Sequence, residues 1–110
     1  LISVEADKCI SADLKLTALQ GLNIFRIIQE ATNNAVKYAG ANHIQIRISK
    51  KENSVNFVVQ DDGKGFVETE VEPGNGLLNM RKRAEELGGE LVLLSETDNG
   101  TSVSFGVKNN

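Results

Sequence analysis

The sequence predicts an α+β sandwich, two layers deep, in which helices cover one face of a mostly antiparallel sheet. Three observations lead there. Two proline-free stretches, one from Thr17 to Ala39 and one from Leu77 to Leu87, repeat apolar residues at helical spacing. Two pairs of segments alternate apolar and polar residues across short polar turns. The two kinds follow one another as helix, hairpin, helix, hairpin, whereas a doubly wound nucleotide fold needs single strands alternating with helices.

The first helix is predicted over Thr17–Ala39, with Gly21 its only glycine. Leu22, Phe25, Ile28, Ala35 and Ala39 recur along it, Phe25, Ile28 and Ala35 are expected to point into the core, and Gly40 ends it. Ile44, Ile46 and Ile48 then alternate with Gln45, Arg47 and Ser49. After a turn at Lys51, Glu52, Asn53 and Ser54, the residues Val55, Phe57 and Val59 alternate again, which predicts a β-hairpin. Its second strand runs directly into Asp61, Asp62, Gly63, Lys64 and Gly65, and a polar loop holding the only proline, Pro73, continues to about Asn75. A second helix carries Leu77, Met80, Ala84 and Leu87 on one face and closes at Gly88 and Gly89. Leu91–Leu94 form a strand, Asp98, Asn99 and Gly100 a turn, and Val103, Phe105 and Val107 the inward positions of a last strand.

A length of 110 residues suits one domain, 1–110, and a content of 40% hydrophobic and 25% charged residues is that of a globular chain. No apolar run approaches the roughly 20 residues that cross a bilayer, and the first residues lack the basic start of a secretory signal, so no direct membrane contact and a cytoplasmic location are expected. The single cysteine, Cys9, is expected to be a small packing residue in a reducing compartment. A formal charge of −3 argues against nucleic acid held on a broad basic surface, so an anionic ligand needs a local pocket. The start at Leu1 without Met looks like a fragment of a longer protein.

Four local patterns carry chemistry. On the first helix Glu30, Asn34 and Lys37 stand at i, i+4 and i+7, which at about 100° per residue places an acid, an amide and an amine within one narrow arc, with Asn33 beside it. A solvated face has the same look, but two successive asparagines are poor helix formers and suggest a further role. Asp61 to Gly65 directly follow a strand. Glycines there let a ligand approach the backbone, and a carboxylate can accept from the exocyclic amine of adenine, although an ordinary acidic turn fits too. Gly74, Asn75 and Gly76 precede the second helix, whose unpaired amides and dipole favour phosphate, while glycines also end loops for steric reasons. Thr101 follows Gly100 at the start of the last strand, where its hydroxyl can reach the same adenine or simply continue a turn.

At this point the chain resembles a known family. FRIIQEATNNAVKY at 25–38 is similar to the N box of the GHKL superfamily (gyrase, Hsp90, histidine kinase and MutL ATPases), VQDDGKGF at 59–66 to its first glycine box, GNGLLNMRKRAEELGG at 74–89 to its second, and GTSVSF at 100–105 to its closing strand. The four occur in order and cover nearly the whole chain. Within the superfamily the short loop between Phe66 and Gly76 and the run QEATNN most resemble sensor histidine kinases of the NarL, DesK and ComP type.

The resemblance implies a Bergerat ATP-binding fold and the catalytic domain of a two-component sensor kinase that binds Mg·ATP. It implies that Asn34 ligates Mg2+, that Glu30 orients the metal's water or assists proton removal, and that Lys37 neutralises phosphate charge. Tyr38 would cover part of the nucleotide, with Asn33 and Leu77 in the same binding set. Asp61 would bind the adenine amine, Gly63 and Gly65 would shape the wall, Thr101 would support that end, and Gly74 and Gly76 would let a lid close. The γ-phosphoryl would pass to a histidine on a separate helical domain of the same, homodimeric protein and then to a response regulator of the LuxR/NarL type. His43, the only histidine, is expected to be an incidental surface residue and not the acceptor. Two alternatives share the boxes: a serine protein kinase of the anti-sigma-factor type, and a domain that binds nucleotide only as a regulator.

Overall fold

The computed structural model describes residues 2–6, 16–37, 40–51, 54–64, 75–96 and 100–108. In chain order they form β1 (Ile2–Ala6), α1 (Ala18–Lys37), β2 (Ile44–Lys51), β3 (Ser54–Asp61), α2 (Asn75–Glu86), β4 (Val92–Glu96) and β5 (Gly100–Lys108). Cys9, Tyr38, Ala39, Gly65, the loop with Pro73 and Gly74, and the turn residues Asp98 and Asn99 lie outside the described residues.

Both helices begin or end as their local chemistry dictates. Thr17 and Gln20 make a reciprocal capping box, the Thr17 hydroxyl accepting from the Gln20 amide at 3.1 Å and the Gln20 side-chain oxygen accepting from the Thr17 amide at 2.9 Å. At the other end Gly40 takes φ 60° and the Ala41 amide returns to the Ala35 carbonyl at 3.0 Å. The end of α2 is a Schellman motif. Gly88 has φ 84°, its amide donates to Glu85 at 2.9 Å, and Gly89 donates to Ala84 at 3.1 Å.

The five strands lie in the order β1-β2-β3-β5-β4, antiparallel except for β1, which runs parallel to β2. The sandwich predicted from sequence is therefore present, with a mixed sheet. The difference is β1, which stands ahead of the expected helix–hairpin–helix–hairpin order. Its five residues alternate too briefly to read as a strand alone; pairing Ile2 with Ile44 and Ala6 with Ile48 is what makes them one. The second difference is that β5 inserts between β3 and β4, so the two hairpins share one sheet through the β3–β5 pair.

The core lies between this sheet and the helices. Register pairs Val55 with Val107, Phe57 with Phe105 and Val59 with Val103 on one face, and all six are buried. The two phenyl rings stack with centroids 5.1 Å apart and planes at 9°. Met80 and Ala84 of α2, with Leu87 just past its end, are buried over this face, as the spacing predicts. On α1 the buried stripe is Ile24, Ile27, Ala31 and Ala35, with Ile28 partly buried. Phe25, expected inside, is 57% exposed. It stands about 100° round the helix from Ile24, so once the stripe through Ile24 and Ile27 is chosen it must face away.

Candidate functional site

The alternation that builds the core also builds the site. Beyond Val59 and Val103 the next register pair on the same face is Asp61 and Thr101, so the apolar floor turns polar at the end of the sheet. Asp61 is half-buried, and its Oδ1 accepts from the Gly63 amide at 2.8 Å, which tightens the turn into the glycine-rich loop. Thr101 is buried and its hydroxyl lies 2.9 Å from that of Ser95 on β4. Gly100, at φ 83°, brings its α-carbon against the Asp61 carbonyl, where a Cβ would collide with the oxygen. The two ends of the polar pair are thus locked by backbone contact.

Across from this pair stands α1. Asn34 lines one cleft together with Asp61, Thr101, Ala31, Met80 and Leu93. The interior of that cleft is narrow, with room for about one water, ≈10 Å³. One turn before Asn34, Glu30 carries its carboxylate to the first turn of α2. A Cβ on Gly76 would overlap Glu30 Oε1. The glycine therefore makes space for a carboxylate at a helix N-terminus, where the dipole favours negative charge.

The structure thus gathers Asn34, Asp61, Gly63 and Thr101 at one end, and Glu30 with Gly76 at the other. Leu77 is half-buried and packs on the core beside them. Asn33 and Lys37 are exposed on α1 and do not line the cleft. Tyr38, Gly65 and Gly74 lie outside the described residues.

Two features escaped the sequence. Asn23 is buried on α1, held by Arg83 and Glu86 of α2. It extends the polar stripe two turns back from Glu30, and an asparagine at that helical spacing is the signal that could have marked it. The other is Asp62. Its Oδ1 accepts from the amides of His43 and Asn42, both at 2.9 Å, and its Oδ2 lies 2.9 Å from His43 Nδ1. His43 is on the surface, as expected, but it is not incidental: it clips the β2 entry to the loop that follows Asp61.

The His43 amide, then its ring, then the Asn42 amide hold the Asp62 carboxyl down at about 2, below the ordinary 3.8. A depressed carboxyl stabilises the fold fully above its unfolded value, and that contribution is lost as pH falls from about 4 through 2. Unfolding followed between pH 5 and 2 should therefore show a shallower acid loss in Asp62→Asn than in the parent chain. Parallel curves would remove this clip from the acid transition.

Residues 20–110 match the family described as "Histidine kinase-, DNA gyrase B-, and HSP90-like ATPase". The chain is similar to the signal transduction histidine-protein kinase/phosphatase DegS of Brevibacillus brevis, 35% identical over 85 residues, and to the sensor histidine kinase LnrJ of Bacillus subtilis, 42% identical over 81 residues. Those matches cover 76% and 74% of this chain but only 22% and 20% of the two relatives. Among solved structures the fold is similar to the histidine kinase domain of the Erythrobacter litoralis blue-light activated kinase EL346, with a TM-score of 0.80, 23% identity, and coverage of 98% of this chain and 51% of that one.

Proposed function

Because this chain belongs to the histidine kinase-, DNA gyrase B- and HSP90-like ATPase family, we propose that it is the ATP-binding catalytic domain of a two-component sensor histidine kinase, and that its γ-phosphoryl acceptor is a histidine on a separate helical domain. The observation that carries this is the facing of two polar groups across one apolar floor. Asp61 and Thr101 end the sheet, and the Glu30–Asn34 stripe of α1 ends against the start of α2.

In this proposal Asp61 accepts from the adenine amine, with Gly63 and Thr101 shaping the same end, and the phosphates lie toward the other end, near the start of α2. Gly65, Gly74 and Tyr38 would complete the walls and lid, and Lys37 and Asn33 would approach from the exposed side of α1. Asn34 offers a hard amide oxygen, which fits Mg2+, a cation bound through one or two side chains together with substrate phosphates, and Glu30 one turn earlier would orient the metal's water. When bound, Mg2+ screens charge on the transferring group. A neutral imidazole is already a nucleophile, so the chain's own residues position and shield, and Glu30 assists the proton at the acceptor nitrogen. The parent protein would act as a dimer and pass the phosphoryl to a response regulator of the NarL type. Among the described residues no helix is long and apolar enough to cross a membrane. The chain would work on the cytoplasmic side, where ATP is.

The decisive experiment uses radiolabelled ATP. The chain alone should show no acid-labile phosphohistidine, and label should appear on an added helical domain of the parent protein that carries its own histidine. Label on His43, or acid-stable phosphoserine on a partner, would refute histidine phosphotransfer by this domain.

Gly76→Ala gives a sharper probe of the phosphate end. The new methyl meets only the flexible Glu30 side chain, which swings aside, and no backbone atom. Thermal stability should hold while transfer to the helical domain falls about tenfold or more. Undiminished transfer would mean that the contact between Glu30 and Gly76 plays no part in it.

A further inference from the structure

Asn23 is 2% exposed, and both ends of its amide are used. Oδ1 accepts from Arg83 Nη1 at 3.1 Å, and Nδ2 donates to Glu86 Oε2 at 3.0 Å. Arg83 and Glu86 are three residues apart, on one face of α2. Asn23 is seven residues before Glu30, so it lies about 20° from it on the same stripe of α1.

The two helices therefore touch at two polar points. Asn23 meets the last turn of α2, and Glu30 meets its first turn at Gly76, so the helices run antiparallel there. Seven residues separate Asn23 from Glu30, and seven separate Gly76 from Arg83. Each interval is about 10.5 Å of helix rise, so the contacts are commensurate. Between them sit buried Ile27 of α1 and Met80 of α2; apolar burial is non-directional and does not set how far one helix has slid along the other. A buried amide with two oriented partners does set it, as single buried asparagines do in coiled coils.

We infer that Asn23 is a positioning residue of the nucleotide site: through Arg83 and Glu86 it fixes the axial register of α2 on α1, and so keeps the α2 N-terminus at Gly76 on the Glu30 carboxylate. This rests on the ATP-site reading above. It assigns the clasp to the phosphate end alone, because the adenine end, Asp61 and Thr101, is held by strand pairing and the Gly100 contact.

The test is calorimetric titration of the chain with Mg·ATP and, separately, with adenosine, for the parent, Asn23→Leu and Arg83→Met. Leucine keeps the branched outline of asparagine with somewhat more bulk, and Arg83 and Glu86 are not fully buried, so the fold should persist by circular dichroism. Asn23→Leu should raise the Mg·ATP Kd about tenfold and leave the adenosine Kd within about twofold. Arg83→Met should likewise raise the Mg·ATP Kd and spare that of adenosine, and the double variant should lose little more than either single one. Should Asn23→Leu fail to fold, Arg83→Met carries the comparison alone. Equal losses for ATP and adenosine would overturn the inference, as would an unchanged ATP Kd in a folded variant. If the parent binds neither ligand, the ATP-site reading falls first and this inference with it.

Discussion

Asp61→Asn should weaken ATP binding by about 2–3 kcal/mol, roughly 30- to 150-fold in Kd, with the fold intact. The reason lies in what the side chain already does. One carboxylate oxygen accepts from the Gly63 amide at 2.8 Å, and adenine would add a second donor at the same group. A carboxylate is acceptor on both sides. An asparagine has one acceptor oxygen and one donor nitrogen, so in either orientation a donor faces a donor, at the loop amide or at the base. Only the loop contact bears on folding, and a single part-buried hydrogen bond contributes about 1 kcal/mol. Titration with ATP, alongside thermal unfolding, checks both halves. An affinity equal to the parent's would remove Asp61 from the base-binding role.

The largest stability loss is expected at Gly100. Its φ of 83° is strained for any residue with a Cβ, and the added carbon would meet the Asp61 carbonyl oxygen, a backbone atom that cannot swing aside. Strain of about 1–3 kcal/mol and a steric cost of similar size act together in Gly100→Ala. Unfolding should fall by about 2–5 kcal/mol, a shift of roughly 10–20 °C in Tm. Because the collision is with the residue that would hold adenine, ATP affinity should fall as well at temperatures where the variant is folded. A Tm within about 3 °C of the parent would mean that β5 can shift at its first residue without disturbing Asp61. In contrast with Gly76→Ala, where the obstacle is the tip of a side chain, the same one-carbon change here meets main chain, and this sets the different expectations.

The membership of the chain in its family and the polar sites themselves were open to reading because each is written in contiguous residues. Alternation over Ile44–Ile48, Val55–Val59 and Val103–Val107 announces strands with one buried face, and i, i+4, i+7 spacing announces the Glu30–Asn34–Lys37 stripe. The glycines at 40, 88 and 100 mark positions that do take positive φ. Since side chains alternate strictly along a strand, even the placing of Asp61 and Thr101 on the core face follows from that of Val59 and Val103.

What only the tertiary structure decided is which patterns meet. Periodicity tells which residues share a face but not what covers it, so Phe25 was expected in the core, where Ile24 and Ile27 are the residues buried. A five-residue strand such as β1 has too few positions to declare itself, and its partner lies some 40 residues away in the chain. Separation in sequence likewise hid the clip between His43 and Asp62, the clasp of Asn23 with Arg83 and Glu86, and the contact of Glu30 with Gly76. Each joins segments 19 to 63 residues apart. Hydrogen bonds and steric fits act over a few ångströms, so no local pattern can encode them until the fold has brought their partners together.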